Sequence, residues 1–183
     1  MHDLSLKKIL KIKPISLSNI FFRLVALKHV NDILNPQGNY TCGGRYNPPR
    51  EFTVLYLGES EIVCKAESNA RTNPNLLTSQ VLGKIEISLE KVLDLTDDTN
   101  LEKLGLKKKD LIYKKSENGW DLTQEISRLA YQTEVEAILV PSATGKGNSL
   151  VVFDKYIKKE NLKLISKKKI WWLSLLFCFL TAP

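Results

Sequence analysis

Arg23, Arg45, Tyr56, Glu67 and Ser142 stand in or beside apolar runs, and their side chains are the ones that could do chemistry. Guanidinium groups grip phosphate oxygens in bidentate fashion. A glutamate stabilises developing positive charge or moves a proton, and hydroxyls orient such groups. Each residue also has an ordinary reading. Arg23, within Phe22-Arg23-Leu24-Val25, can snorkel from an edge strand; Arg45 can be a solvated turn residue; Tyr56 can be a core aromatic with a satisfied hydroxyl. Glu67 can pair with Arg71 one turn further along a helix, and Ser142 can cap a turn after Pro141. The stretch Gly43-Gly44-Arg45-Tyr46-Asn47 carries the same ambiguity, an ordinary turn or a loop shaped to hold something. Asn148 follows a second glycine-containing loop.

Several familiar site motifs are absent. Gly145-Lys146-Gly147 lacks both the upstream glycine and the Ser or Thr directly after the lysine that a P-loop needs. No GxSxG, HExxH or GxGxxG occurs. The only histidines, His2 and His29, argue against a histidine-based triad. Cys42, Cys64 and Cys178 form no CxxC, so neither a disulfide framework nor a zinc site is expected, and a reduced, cytoplasmic protein is the simplest account.

The elements that must position these residues follow from pattern. Ile20–Val25 reads as a first strand and Phe52–Leu57 as a second, rich in aromatic and β-branched residues. Ser60 is placed to cap a helix over 61–70, with Asn73-Pro74 arguing for a stop. Alternation marks a strand over Val81–Ser88, and Ile126, Leu129 and Ala130 mark one face of a helix over Thr123–Gln132. Val135–Val140 and Leu150–Phe153 complete the strands. Without regular βαβ alternation, the expected class is α+β.

At 183 residues, 43% apolar and 26% charged, the chain has the size and composition of one ordinary globular domain. The net charge of +7 favours acidic partners such as nucleic acid, nucleotides, a membrane surface or an acidic protein, and by itself identifies none. Much of the excess lies in the runs Lys7-Lys8, Lys107–Lys109 and Lys167–Lys169. The first twenty residues hold no continuous apolar stretch of the kind a signal peptide needs. Ile170–Leu180 is uncharged, rich in aromatics and abuts three lysines. It falls short of the about 20 apolar residues that span a bilayer. A packed terminal segment, an atypical tail and a membrane contact all fit it.

The order and surroundings of the polar residues carry more than any one of them. Phe22-Arg23-Leu24-Val25, Gly43-Gly44-Arg45-Tyr46-Asn47-Pro48, Val54-Leu55-Tyr56-Leu57-Gly58-Glu59-Ser60 with Glu67 in the next helix, and Val140-Pro141-Ser142-Ala143 with Asn148-Ser149-Leu150-Val151 together resemble the RES-domain family. These are the toxins of RES–Xre toxin–antitoxin pairs. The resemblance covers roughly residues 20–157, and Trp120 falls where such domains often carry a tryptophan. Pro49-Arg50-Glu51-Phe52 replaces a shorter glycine-containing link, Tyr46 stands where tryptophan is common, and the tail from Ile170 has no counterpart. On this reading residues 1–19 are an N-terminal extension, 20–157 the RES domain, and 158–183 a basic then hydrophobic tail.

The resemblance implies a fold like that of ADP-ribosyltransferases, with mixed, mainly antiparallel sheets and flanking helices, and an enzyme that consumes NAD as substrate with no cofactor or metal. Glu67, Arg45, Tyr56 and Ser142 would be catalytic. Arg23, Gly43, Gly44, Arg45, Tyr46 and Asn148 would bind NAD: the arginines on the pyrophosphate, the glycines admitting the backbone close to the dinucleotide, Tyr46 or Tyr56 stacking on nicotinamide, and Asn148 supporting its loop. Cleaving the nicotinamide–ribose bond builds oxocarbenium character, which a carboxylate stabilises; that is the role implied for Glu67, with Ser142 orienting it or the ribose. The acceptor could be water or phosphate, arresting growth by draining NAD, or a protein that becomes ADP-ribosylated. An Xre-type antitoxin that blocks the NAD pocket is the implied partner, any DNA contact belonging to the complex. A nucleic-acid-binding module is the reading from a different class, and the scattered lysines lack a recognisable motif for it.

Overall fold

In a computed structural model of the chain, residues 4–71, 79–112 and 120–170 are described. Six strands and five α-helices are defined among them, besides short 3-10 turns: α1 Leu6–Ile9, β1 Ile15–Ala26, β2 Val54–Gly58, α2 Glu61–Arg71, β3 Gln80–Asp94, α3 Asp98–Leu104, α4 Lys108–Ile112, α5 Asp121–Gln132, β4 Ala137–Pro141, β5 Asn148–Phe153 and β6 Leu162–Ile170.

The strands form one mixed sheet in the order β1-β2-β5-β4-β3-β6, and a further pairing of β1 with β3 closes the first five into a barrel. The β3–β4 pairing is parallel, and the other pairings are antiparallel. The mixed, mainly antiparallel strands with flanking helices agree with the expected class, and they make one sheet closed on itself. The closing pairing runs from Ile15 opposite Val92 to Ala26 opposite Gln80, and Val92 is also in register with Ala137 of β4.

Strand alternation sorts the apolar residues into two cores. Phe21, Leu55, Leu57, Ile85, Ile87, Leu89, Val92, Ala137, Leu150 and Val152 cluster on the barrel's inner face. Val54, Ile138, Val140, Val151 and Phe153 alternate with them along β2, β4 and β5 and face outward, where they pack against Leu101, Leu104, Leu111, Ile126, Leu129 and Ala130 of the helices. Each valine, leucine, isoleucine or phenylalanine among them, when fully buried, contributes about 1.5–3 kcal/mol.

Two segments expected to be extensions belong to this framework. Ile9 of α1 and Ile12 are 1% and 2% exposed within the outer core, and β1 begins at Ile15. β6, including Lys167–Lys169, pairs with β3 along most of its length. Its exposed lysines suit an edge strand, where charge discourages pairing with another chain. The apolar tail beyond Ile170 lies outside the described residues. Among those described, no helix is long and apolar enough to cross a membrane.

Candidate functional site

Glu67 reaches its place through the face it occupies on α2. Ser60 Oγ accepts a hydrogen bond from the Val63 N–H at 3.3 Å and starts the helix, as its position before the apolar run predicts. Val63 and Cys64 are buried, and Glu67, four and three residues further on, lies on the same side. Cys64 Sγ donates to the carbonyl of Phe22 at 3.2 Å, which ties this face to β1.

There Glu67 meets the end of β4. Ser142 Oγ donates to Glu67 Oε1 at 2.7 Å, and the Ala143 N–H donates to the same oxygen at 2.8 Å. Ser142 is fully buried. Its N–H bonds the Gly147 carbonyl at 2.8 Å, and its Oγ lies 2.9 Å from Thr144 Oγ1. The carboxylate is therefore held by a tight turn that is itself closed by hydrogen bonds.

The glycine loop arrives on the barrel's outer face. Gly43 has φ 67°, in the left-handed region, and its N–H bonds the Asn39 carbonyl at 2.9 Å. The loop is pinned from the helix layer by α5: Thr123 Oγ1 donates to the Arg45 carbonyl at 2.6 Å and Gln124 Nε2 to the Gly44 carbonyl at 2.8 Å. It is pinned from the sheet by Tyr56, whose hydroxyl accepts from the Tyr46 N–H at 2.8 Å. Arg45 is half-buried and Tyr46 is 2% exposed. Burial pushes the Tyr46 phenol well above its usual range; Arg45 draws it down, and Tyr56 and Glu67 add to the rise. Arg45, Tyr46, Tyr56 and Glu67 thus share one electrostatic neighbourhood.

A family model described as the RES domain matches residues 20–174. The chain belongs to the RES-domain family. The NAD(+) phosphorylase MbcT of Mycobacterium tuberculosis and that of Mycobacterium bovis are each 27% identical to it over 140 residues, 73% of either chain. The crystal structure of the M. tuberculosis MbcT–MbcA toxin–antitoxin complex superposes with a TM-score of 0.76 at 28% identity, covering 90% of this chain and 91% of that one.

Within this RES domain, the other expected site residues have definite places. Arg23 Nη1 donates to the carbonyls of Ile33 and Asn35 at 2.8 and 3.1 Å, and burial pushes its guanidinium down to about 10. It shares the inner face of β1 with Phe21 by alternation, and this nitrogen is occupied in holding the loop after β1. The Tyr46 ring is packed in the outer core, not presented as a stacking platform. Asn148 Nδ2 donates to Glu59 Oε2 at 2.8 Å, and the Glu59 N–H bonds the Asn148 carbonyl at 3.1 Å, so Asn148 braces the loop that carries Ser142. The room at Gly44 is taken by the protein itself: a Cβ there would lie 2.7 Å from Asn47 Oδ1 and 2.8 Å from the Tyr56 hydroxyl.

Asn39, Asn47, Thr123 and Gln124 were not among the expected site residues. Asn47 was within reach, since it closes the Gly43-Gly44-Arg45-Tyr46-Asn47 stretch singled out from the sequence; Thr123 and Gln124 look in sequence like ordinary first-turn helix residues. An open cleft of about 230 Å³ lies at the other end of β2 and β5, lined by Gln37, Tyr40, Phe52, Thr53, Tyr131, Asp154 and Lys155, and takes no part in this cluster.

Proposed function

We propose that this protein is a toxin that cleaves the nicotinamide–ribose bond of NAD, with inorganic phosphate as the acceptor. The observation that carries this reading is the Glu67 carboxylate fixed by Ser142 Oγ and the Ala143 N–H beside the Arg45 loop. The relatives named NAD(+) phosphorylase support the acceptor.

As the glycosidic bond breaks, its electron pair goes to the nicotinamide nitrogen and the ring departs neutral. Positive charge grows on the ribose C1 and ring oxygen, where a fixed carboxylate stabilises it without reorganising. Attack by a phosphate oxygen then gives ADP-ribose 1″-phosphate. Ser142 and Ala143 hold Glu67 for this task, and Arg45 grips the pyrophosphate. Tyr46 is left to the core and Asn148 to the loop. Arg23 anchors the segment after β1, and its remaining donors can still serve the dinucleotide. The closed mixed barrel is read as a variant of the ADP-ribosyltransferase architecture. An antitoxin of the Xre type covers the site in the cytoplasm, a reading supported by the toxin–antitoxin complex among the structural matches.

Incubating the purified chain with NAD, with and without phosphate, tests this. The expected result is nicotinamide release that depends on phosphate, and a loss of about a hundredfold or more in Glu67→Gln with an unchanged circular dichroism spectrum. Free ADP-ribose formed equally without phosphate would make it a glycohydrolase, label on a protein would make it a transferase, and intact NAD throughout would overturn the activity.

A further inference from the structure

The loop of residues 39–47 is joined to β2 by a chain of hydrogen bonds whose direction can be assigned atom by atom. Asn39 Nδ2 donates to the Val54 carbonyl at 2.6 Å. A carbonyl only accepts, so this bond fixes which way the Asn39 amide faces. Asn39 therefore turns acceptors toward Asn47: its carbonyl and Oδ1 lie 2.9 and 3.2 Å from Asn47 Nδ2. That leaves Asn47 Oδ1 facing the Tyr56 hydroxyl at 2.9 Å. An amide oxygen cannot donate, so the phenol must. The same phenol oxygen accepts from the Tyr46 N–H.

The single proton of the Tyr56 hydroxyl is thus committed to a wholly buried asparagine. Gly44 packs so closely that a side chain there would strike both members of this bond. The neutral departure of nicotinamide asks for no proton either. A tyrosine near a bond-cleaving carboxylate invites the role of general acid, and the hydrogen-bond polarity here opposes it.

We infer that Tyr56 serves the reaction as a positioning residue, and that Asn47 and Asn39 are further positioning residues acting through it. Together they hold the Arg45–Tyr46 peptide, and so deliver the Arg45 guanidinium to the dinucleotide. This inference rests on the NAD-cleaving reading of the site.

Steady-state kinetics of NAD cleavage by the full chain decide it, with Tyr56→Phe, Asn47→Leu, Asn39→Ala and the Tyr56→Phe/Asn47→Leu double variant. Each single variant is expected to raise KM for NAD roughly tenfold or more, with a smaller change in kcat, because a buried hydrogen bond behind a binding group is lost. The double variant should be no worse than the worse single one, since both remove the same link. The pH–rate profile should keep its shape. A fall in kcat at unchanged KM in Tyr56→Phe, with one limb of the profile lost and Asn47→Leu like wild type, would make Tyr56 an acid or base and overturn the inference. Should Asn47→Leu fail to fold, Asn39→Ala, at a half-buried position one bond further from the phenol, gives the same reading. Intact NAD with the wild-type chain would instead overturn the activity and this inference together.

Discussion

Glu67 and Cys64 share one face of α2 and meet opposite fates. The glutamate is met at its tip by two donors, whereas the thiol is buried against β1. Burial is the largest cause of its shift and pushes the Cys64 thiol from 9.0 up to about 11, against smaller downward contributions from backbone hydrogen bonds at Gly58 and Leu24. A raised acid pKa means that the folded state holds the proton more tightly than the unfolded chain. The corresponding stability is complete below about pH 9 and is lost as pH rises through about 11. A protonated, buried thiol is also a poor nucleophile. At pH 8 iodoacetamide should therefore alkylate exposed Cys42 and spare Cys64 until the protein is unfolded, read site by site by peptide mass spectrometry. Equal rates at both cysteines in the folded protein would show that α2 does not lie closed over β1. At this scale the structure brings together residues that lie far apart in sequence. Glu67 and Ser142, 75 positions apart, are brought into direct contact, and Tyr56 reaches the glycine loop. What the sequence hid was the use of each group: the ring of Tyr46 faces the core, and one nitrogen of Arg23 serves two carbonyls.

At the scale of elements, helix faces were easy to read and strand ends were not. α2 and α5 lie within a residue or two of their apolar periodicity, because one stripe of each packs on the sheet. β3 runs to Asp94, six residues past the expected end, and the reason is a change of environment along it. After Ser88 the alternation continues only to Glu90. There the Glu136 carboxylate accepts from the Glu90 and Lys91 N–H groups at 2.6 and 2.9 Å, a long-range device that no local pattern announces. The role of the first turn of α5 is hidden for the same reason, since Thr123 and Gln124 find their partners about eighty residues away. Thr123→Val keeps the shape of the side chain and leaves the Arg45 carbonyl without this donor. It should cost about 1–3 kcal/mol in urea unfolding and raise KM for NAD. Unchanged stability and kinetics would mean that α5 does not hold the loop.

For the whole molecule the question is how much of the chain the barrel needs. The motifs resembling the RES family begin at about residue 20, yet β1 and its pairing with β3 begin before them. Ile15 is the residue of β1 in register with Val92, where β4 also joins. Ile9 and Ile12 fill the outer core, in which α1 contacts α3 and α5, the helix that pins the Arg45 loop. The polar residues Ser16, Ser18 and Asn19 disguise the start of β1, because that stretch is exposed on both faces apart from half-buried Leu17. We expect Ile12→Ala to lose about 2–5 kcal/mol of unfolding free energy, the cost of a cavity in a packed core. Removing residues 1–13 takes both isoleucines and leaves the outer core open beneath α5. That deletion should lower the melting temperature sharply and reduce NAD cleavage as well, since it loosens the helix behind Arg45 and not only the terminus. A dispensable extension makes the opposite prediction, a chain from residue 14 onward with the melting temperature and KM of the full protein, and thermal denaturation beside the NAD assay separates the two.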